Sequence, residues 1–157
     1  MNSLVHKLLL GALVLSVAFS SCLQEKKKEI HFVQLPHAEW TREDTLHFDI
    51  FVPQSQSSLF AEIQLRLNND FEWLELPLGY TLHNTLGFTK EGKTSIRIAQ
   101  NPGDFKNFKG SYRQFEVALE PFYSLPTAGL YEIKLYLQCE KPLLRGVENV
   151  GIATSID

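Results

Sequence analysis

The chain has 157 residues, with 15 lysines and arginines against 18 aspartates and glutamates, a formal net charge of −3, and 44% hydrophobic residues. A balance this mildly acidic argues against nucleic acid as a partner, because that function needs a basic patch to neutralise phosphates. With only two cysteines, a disulfide-built scaffold is also excluded.

Residues 1–21 read as a lipoprotein signal peptide. Lys7 supplies the basic start, Leu8 to Phe19 an apolar stretch, and Ser20-Ser21 the small residues before Cys22. The apolar stretch is shorter than the roughly 20 residues that cross a bilayer as a helix, so cleavage is expected rather than a retained span. An ordinary secretory signal cut elsewhere is the alternative; Phe19 stands where an aliphatic residue is commoner.

Cys22 is the expected lipid attachment site. Its thiol takes a diacylglyceryl group through a thioether, and the amino group freed by cleavage can be acylated by a fatty acid such as palmitate. Two or three chains hold a protein stably where one binds only marginally. Lys26-Lys27-Lys28 follow closely, either as a solvated tether or beside anionic headgroups. They do not resemble the acid-rich tags that send lipoproteins to the cell surface, which favours an outer-membrane position facing the periplasm. With Cys22 spent on lipid, Cys139 has no disulfide partner and is expected to act as a buried small hydrophobe at a strand end.

From Cys22 onward the length suits one domain, with residues 22–38 as lipidated tether and lead-in and 39–157 as the folded unit. Its dominant period is two. Leu46, Phe48, Ile50 and Val52 alternate with His47, Asp49 and Phe51 before Pro53 and a Gln/Ser loop; Leu59, Ala61, Ile63, Leu65 and Leu67 share the face of a second strand, which Asn68-Asn69-Asp70 stops. Shorter candidates lie at 72–76, 79–83 and 95–99, then a turn at Asn101 to Asp104, then a strand near 112–119. Tyr131, Ile133, Leu135 and Leu137 alternate with Glu132, Lys134 and Tyr136, and Val150, Ile152, Thr154 and Ile156 close the chain. Seven to nine short strands with no amphipathic helix predict an all-β fold, an antiparallel β-sandwich of immunoglobulin-like or jelly-roll-like type. Gly129-Leu130-Tyr131 is similar to the Gly-x-Tyr approach to a late immunoglobulin-like strand, where the tyrosine packs at a corner.

Catalytic signatures are missing from the sequence: no nucleophile elbow, phosphate-binding glycine loop, His-Glu-x-x-His or Cys-x-x-Cys. His47 and Asp49 would share a strand face and could begin a metal or acid/base site, but a solvated polar stripe explains them better. Glu72 with Glu75, and Glu116 with Glu120, are pairs that any charged strand surface produces. No enzyme activity, cofactor, metal or small-molecule substrate is expected. Trp40 and Trp73 could form a stacking platform or a protein anchor if exposed. The segment from Cys139 to Gly146 mixes a cation with Leu143 and Leu144, suiting either a contact loop or leucines tucked under the sandwich end.

Tyr131-Glu132-Ile133 through Leu137-Gln138, followed by Leu143-Leu144-Arg145-Gly146-Val147-Glu148-Asn149-Val150-Gly151-Ile152, resembles the C-terminal signature of the gliding-motility lipoprotein family GldH of the Bacteroidetes. Trp40 with Asp44 and Phe48, then Leu65-Arg66 and the Asn69-Asp70-Phe71 turn, are similar to its N-terminal half. The resemblance implies a non-enzymatic envelope lipoprotein that supports gliding motility and type IX secretion. Its partners would be the membrane, through the Cys22 lipid, and envelope proteins of that machinery. How such a protein acts is not supplied by the resemblance; if one end of the sandwich docks onto a machinery subunit, Trp40, Arg66, Trp73 and Arg145 are the expected protein-contact residues. A surface-exposed glycan-binding or adhesion lipoprotein using the same aromatics is the competing class.

Overall fold

The computed structural model describes residues 28–107 and 110–157; Cys22 and the expected lipoprotein signal peptide lie outside the described residues. Ten strands run in chain order as β1 (Glu29–Gln34), β2 (Glu39–Thr41), β3 (Thr45–Val52), β4 (Ser57–Asn68), β5 (Glu75–Asn84), β6 (Thr89–Arg97), β7 (Tyr112–Leu125), β8 (Gly129–Leu137), β9 (Leu143–Arg145) and β10 (Val147–Ile156), with short 3-10 turns at Pro36–Ala38 and Pro102–Asn107. Two four-stranded sheets, ordered β1-β10-β4-β7 and β3-β8-β5-β6, form the layers of an antiparallel sandwich, and β2 pairs with β9 in a small third sheet.

Alternation in the sequence becomes alternation in burial. In β3 the apolar residues Leu46, Phe48, Ile50 and Val52 are buried while Thr45, His47, Asp49 and Phe51 face solvent, as a strand with one face on a core requires. β4 contributes Leu59, Ala61, Ile63, Leu65 and Leu67, each at most 1% exposed. β5, β8 and β10 supply Leu78, Leu82, Ile133, Leu135, Val150 and Ile152, so that one continuous cluster fills the space between the sheets. The expected corner forms: the Tyr131 hydroxyl donates to the Thr127 carbonyl at 2.9 Å, and Gly129 ahead of it has φ +129°. Cys139 is buried beyond the end of β8, with Sγ 3.4 Å from the Lys141 carbonyl.

Three departures from the sequence expectation have local causes. Glu72, Trp73 and Leu74 lie before β5 rather than in a strand, and the rest of the 72–76 candidate runs on into 79–83 as β5, because Pro77 precedes Leu78, where the ladder to β8 begins, and its carbonyl accepts from the Gln138 amide at 3.0 Å. A proline at that position removes no ladder donor. β6 starts at Thr89 rather than near 95, since the β5–β6 turn is set by the Asn84 side chain, which accepts from the Leu86 and Phe88 amides at 3.0 and 2.9 Å. The sandwich also takes in β1, which the sequence reading placed in the lead-in segment: Glu29 to Gln34 pair with Thr154 to Asn149.

Strand direction gives the sandwich two unlike ends. Glu29 pairs with Thr154, and the Ser58 and Asp157 backbones bond each other at 3.0 Å, so β1 starts at the end where β10 finishes. At the opposite end, where β10 begins, the Asn68 amide donates to the Gly146 carbonyl at 2.9 Å and the turn after β4 closes against Gly146.

Candidate functional site

The end of the sandwich where β10 begins is built around the turn that follows β4. The Asn68 side-chain oxygen accepts from the Asp70 amide at 2.9 Å, and Arg113 Nη2 donates to the Asn68 and Phe71 carbonyls at 2.9 and 3.3 Å. Burial lowers the pKa of Arg113, while those carbonyls take up the donors of Nη2. Phe71 is fully buried, and two residues on the chain emerges with Trp73 partly exposed.

The Lys141 ammonium lies 4.5 Å from the centre of the Trp73 ring, a cation–π contact. Glu72, Leu74, Glu75, Pro77 and Ser95 complete an open cleft around this pair. Glu75 of this lining is ion-paired with Arg97 at 3.0 Å. Arg145, on β9 next to Gly146, is mostly exposed and forms an ion pair with Glu39 at 3.3 Å. Trp73 and Arg145 thus share one end of the sandwich, joined through the segment 141–146.

The four expected contact residues do not form one surface. Trp40 is fully buried on β2 opposite Leu144, and its Nε1 donates to the Asp44 carbonyl at 3.3 Å. A ring enclosed on both faces presents nothing to a partner, so Trp40 is a core residue. Arg66 lies on the outer face of the β1-β10-β4-β7 sheet, its guanidinium 4.6 Å from the centre of the Tyr112 ring. The loop leucines tuck inward: Leu144 is fully buried and Leu143 partly so.

On the outer face of the other sheet, Glu132 is held by His47 at 2.7 Å, His83 at 3.2 Å and Lys134 at 3.4 Å. Partial burial raises the Glu132 pKa, but hydrogen bonds from His47 and Lys134 outweigh it, and the net shift is downward. His47 and Asp49 share that face as expected, yet His47 is engaged with Glu132. Among the described residues no group of three or more His, Cys, Asp or Glu side chains is placed to hold a metal ion, and no helix is long and apolar enough to cross a membrane. Sequence reasoning missed Lys141, Tyr112 and His83 as partners, because each meets its neighbour through strand register or loop closure rather than spacing along the chain.

No curated protein matches the chain significantly. Solved structures with similar architecture include a periplasmic inhibitor of g-type lysozyme from Aeromonas hydrophila (15% identity, TM-score 0.41, covering 85% of this chain and 90% of that one). A mutant of the corresponding Escherichia coli inhibitor (11%, 0.41, 85% and 91%) and a family 35 carbohydrate-binding module from Clostridium thermocellum (13%, 0.37, 72% and 72%) are also similar. At these identities nothing about binding carries over. The family described as GldH lipoprotein matches residues 29–154, from the first residue of β1 almost to the end of β10. The chain belongs to the GldH lipoprotein family.

Proposed function

We propose that this protein is a non-enzymatic lipoprotein held by lipid on Cys22 at the periplasmic face of the outer membrane, where it docks onto a subunit of the machinery for gliding and type IX secretion. The observation that carries the reading is the family match across nearly all of the folded region. The signal-like sequence ending at Cys22 supports the anchor. The Trp73–Lys141 stack and exposed Arg145 at the same end of the sandwich supply an aromatic and a cation of the kinds enriched at protein interfaces. Charge networks such as the one around Glu132 serve the sheets rather than a reaction.

The test is a clean deletion of the gene, scored for secreted proteins and colony spreading. Loss of both, restored by the wild-type gene but not by Cys22→Ala, is expected. An unchanged secretome with unchanged spreading overturns the reading. A milder variant, Trp73→Ala with Arg145→Ala, should leave the protein folded and membrane-bound while weakening co-purification with its envelope partner.

A further inference from the structure

The outer face of the β1-β10-β4-β7 sheet has a feature that docking at the far end does not use. Gln64 points outward from β4, with the inward residues Ile63 and Leu65 on either side, yet it is only 2% exposed. Its Nε2 is buried with no hydrogen-bond partner among the described residues. A buried donor left unpaired is costly and calls for an acceptor. Gln64 lines a cleft of about 260 Å³ together with Ile30, Phe32, Arg66, Gln114 and Glu116.

The walls differ in chemistry. On the β1 side Ile30 and Phe32 are 49% and 56% exposed, an apolar wall that the sheet leaves open to water. Opposite stand Arg66, Gln114 and Glu116, so the lining offers one cation, one anion and two amides with no net charge. β10 keeps the floor low with Gly151 and Ala153, both buried. Phe32 lies across Gly151, where an added Cβ would sit 2.5 Å from ring atom Cδ1. The ring therefore blocks the trough over β10, and the cleft admits a group that projects into it, not a strand that passes through.

We infer that this cleft binds the acetamido group of an N-acetylated sugar in a neutral glycan. That group carries, within a few atoms, what the lining lacks: a carbonyl to accept from Gln64 Nε2, an N–H to donate to the Glu116 carboxylate, and a methyl to rest on Ile30 and Phe32. Ring hydroxyls, which both donate and accept, suit Arg66 and Gln114 at the rim. A charged ligand is disfavoured, since the lining holds one charge of each sign, and a peptide backbone would need the through-going trough that Phe32 closes. The site lies on a sheet face, apart from the Trp73 cleft, and does not depend on the docking reading.

The test titrates the full-length lipoprotein in detergent micelles with triacetylchitotriose, its deacetylated counterpart, cellotriose and acetyl-alanyl-alanine amide. Triacetylchitotriose is expected to bind at least about tenfold tighter than the other three. Gln64→Leu keeps the shape and removes the donor; it should weaken that binding about tenfold with the melting temperature unchanged or raised. Phe32→Ala, at an exposed position, should weaken it with the fold intact. Equal binding of cellotriose or of the deacetylated sugar, preference for the peptide, no binding at all, or indifference to both substitutions overturns the inference.

Discussion

Gly146 shows how a single residue joins two parts of this chain. Its φ is +83° and an added Cβ would lie 2.3 Å from the Phe71 amide nitrogen, so both conformation and space demand glycine. The obstruction is backbone, which cannot swing aside as a side chain can. Gly146→Ala should cost about 2–4 kcal/mol, combining left-handed strain with overpacking, read as a lowered urea midpoint with an unchanged slope. Gly87 offers the comparison: its φ is +93° but nothing lies within 4 Å of the added atom, so Gly87→Ala should show the strain alone, about 1 kcal/mol. Equal losses at the two positions would remove the crowding argument. That Gly146 and the 68–71 turn meet could not be seen in the sequence, where they are far apart; Arg113, which clamps the same turn through its carbonyls, gave no signal there either.

At the scale of strands, the Glu132 network ties β3, β8 and β5 together on their outer face through His47, Lys134 and His83. Because hydrogen bonds from His47 and Lys134 hold the folded Glu132 pKa below the ordinary 4.5 despite partial burial, the carboxylate stabilises the fold at neutral pH. That contribution is complete above the unfolded value and is lost as pH falls below about 4.5 through the lower folded value. Glu132→Gln should therefore be less stable than the parent at pH 7, and the gap should narrow as pH is taken below 4.5. Thermal melts at several pH values check this, and a gap constant with pH would count against it. Strands with one face on the core were legible: β3, β4, β8 and β10 all carry the period-two pattern in their own residues. β1 was not, since Glu29 to Gln34 lie at a sheet edge and are mostly exposed on both sides, so no inside-outside alternation marks them. β2 and β9 span three residues each, too short for any periodicity, and their pairing is what draws Trp40 into the core rather than to the surface.

Over the whole molecule, the polarity of the sandwich turns the proposed lipid anchor into a prediction about orientation. Glu29 pairs near the finish of β10, whereas Gly146, Arg145 and the Trp73 cleft lie where β10 begins. The ten residues of β10 separate the two ends by about 30 Å at strand rise. From Cys22 to Glu29 the tether spans at most about 25 Å. With lipid on Cys22, the end carrying Trp73 and Arg145 projects away from the bilayer, within roughly 55 Å of it, and the loop at 53–56 stays on the tether side. A partner that binds the far end should therefore be captured from Arg145 and not from Gln54. A photo-crosslinking amino acid placed at each position in living cells tests this, because both side chains are exposed and neither substitution disturbs the core. Capture of a discrete envelope protein from position 145 alone is the expected outcome, and it should vanish with Cys22→Ala if the membrane supplies the shared location that raises effective concentration. Capture from position 54 alone would instead place the partner at the bilayer surface, with the Trp73 end turned toward open periplasm.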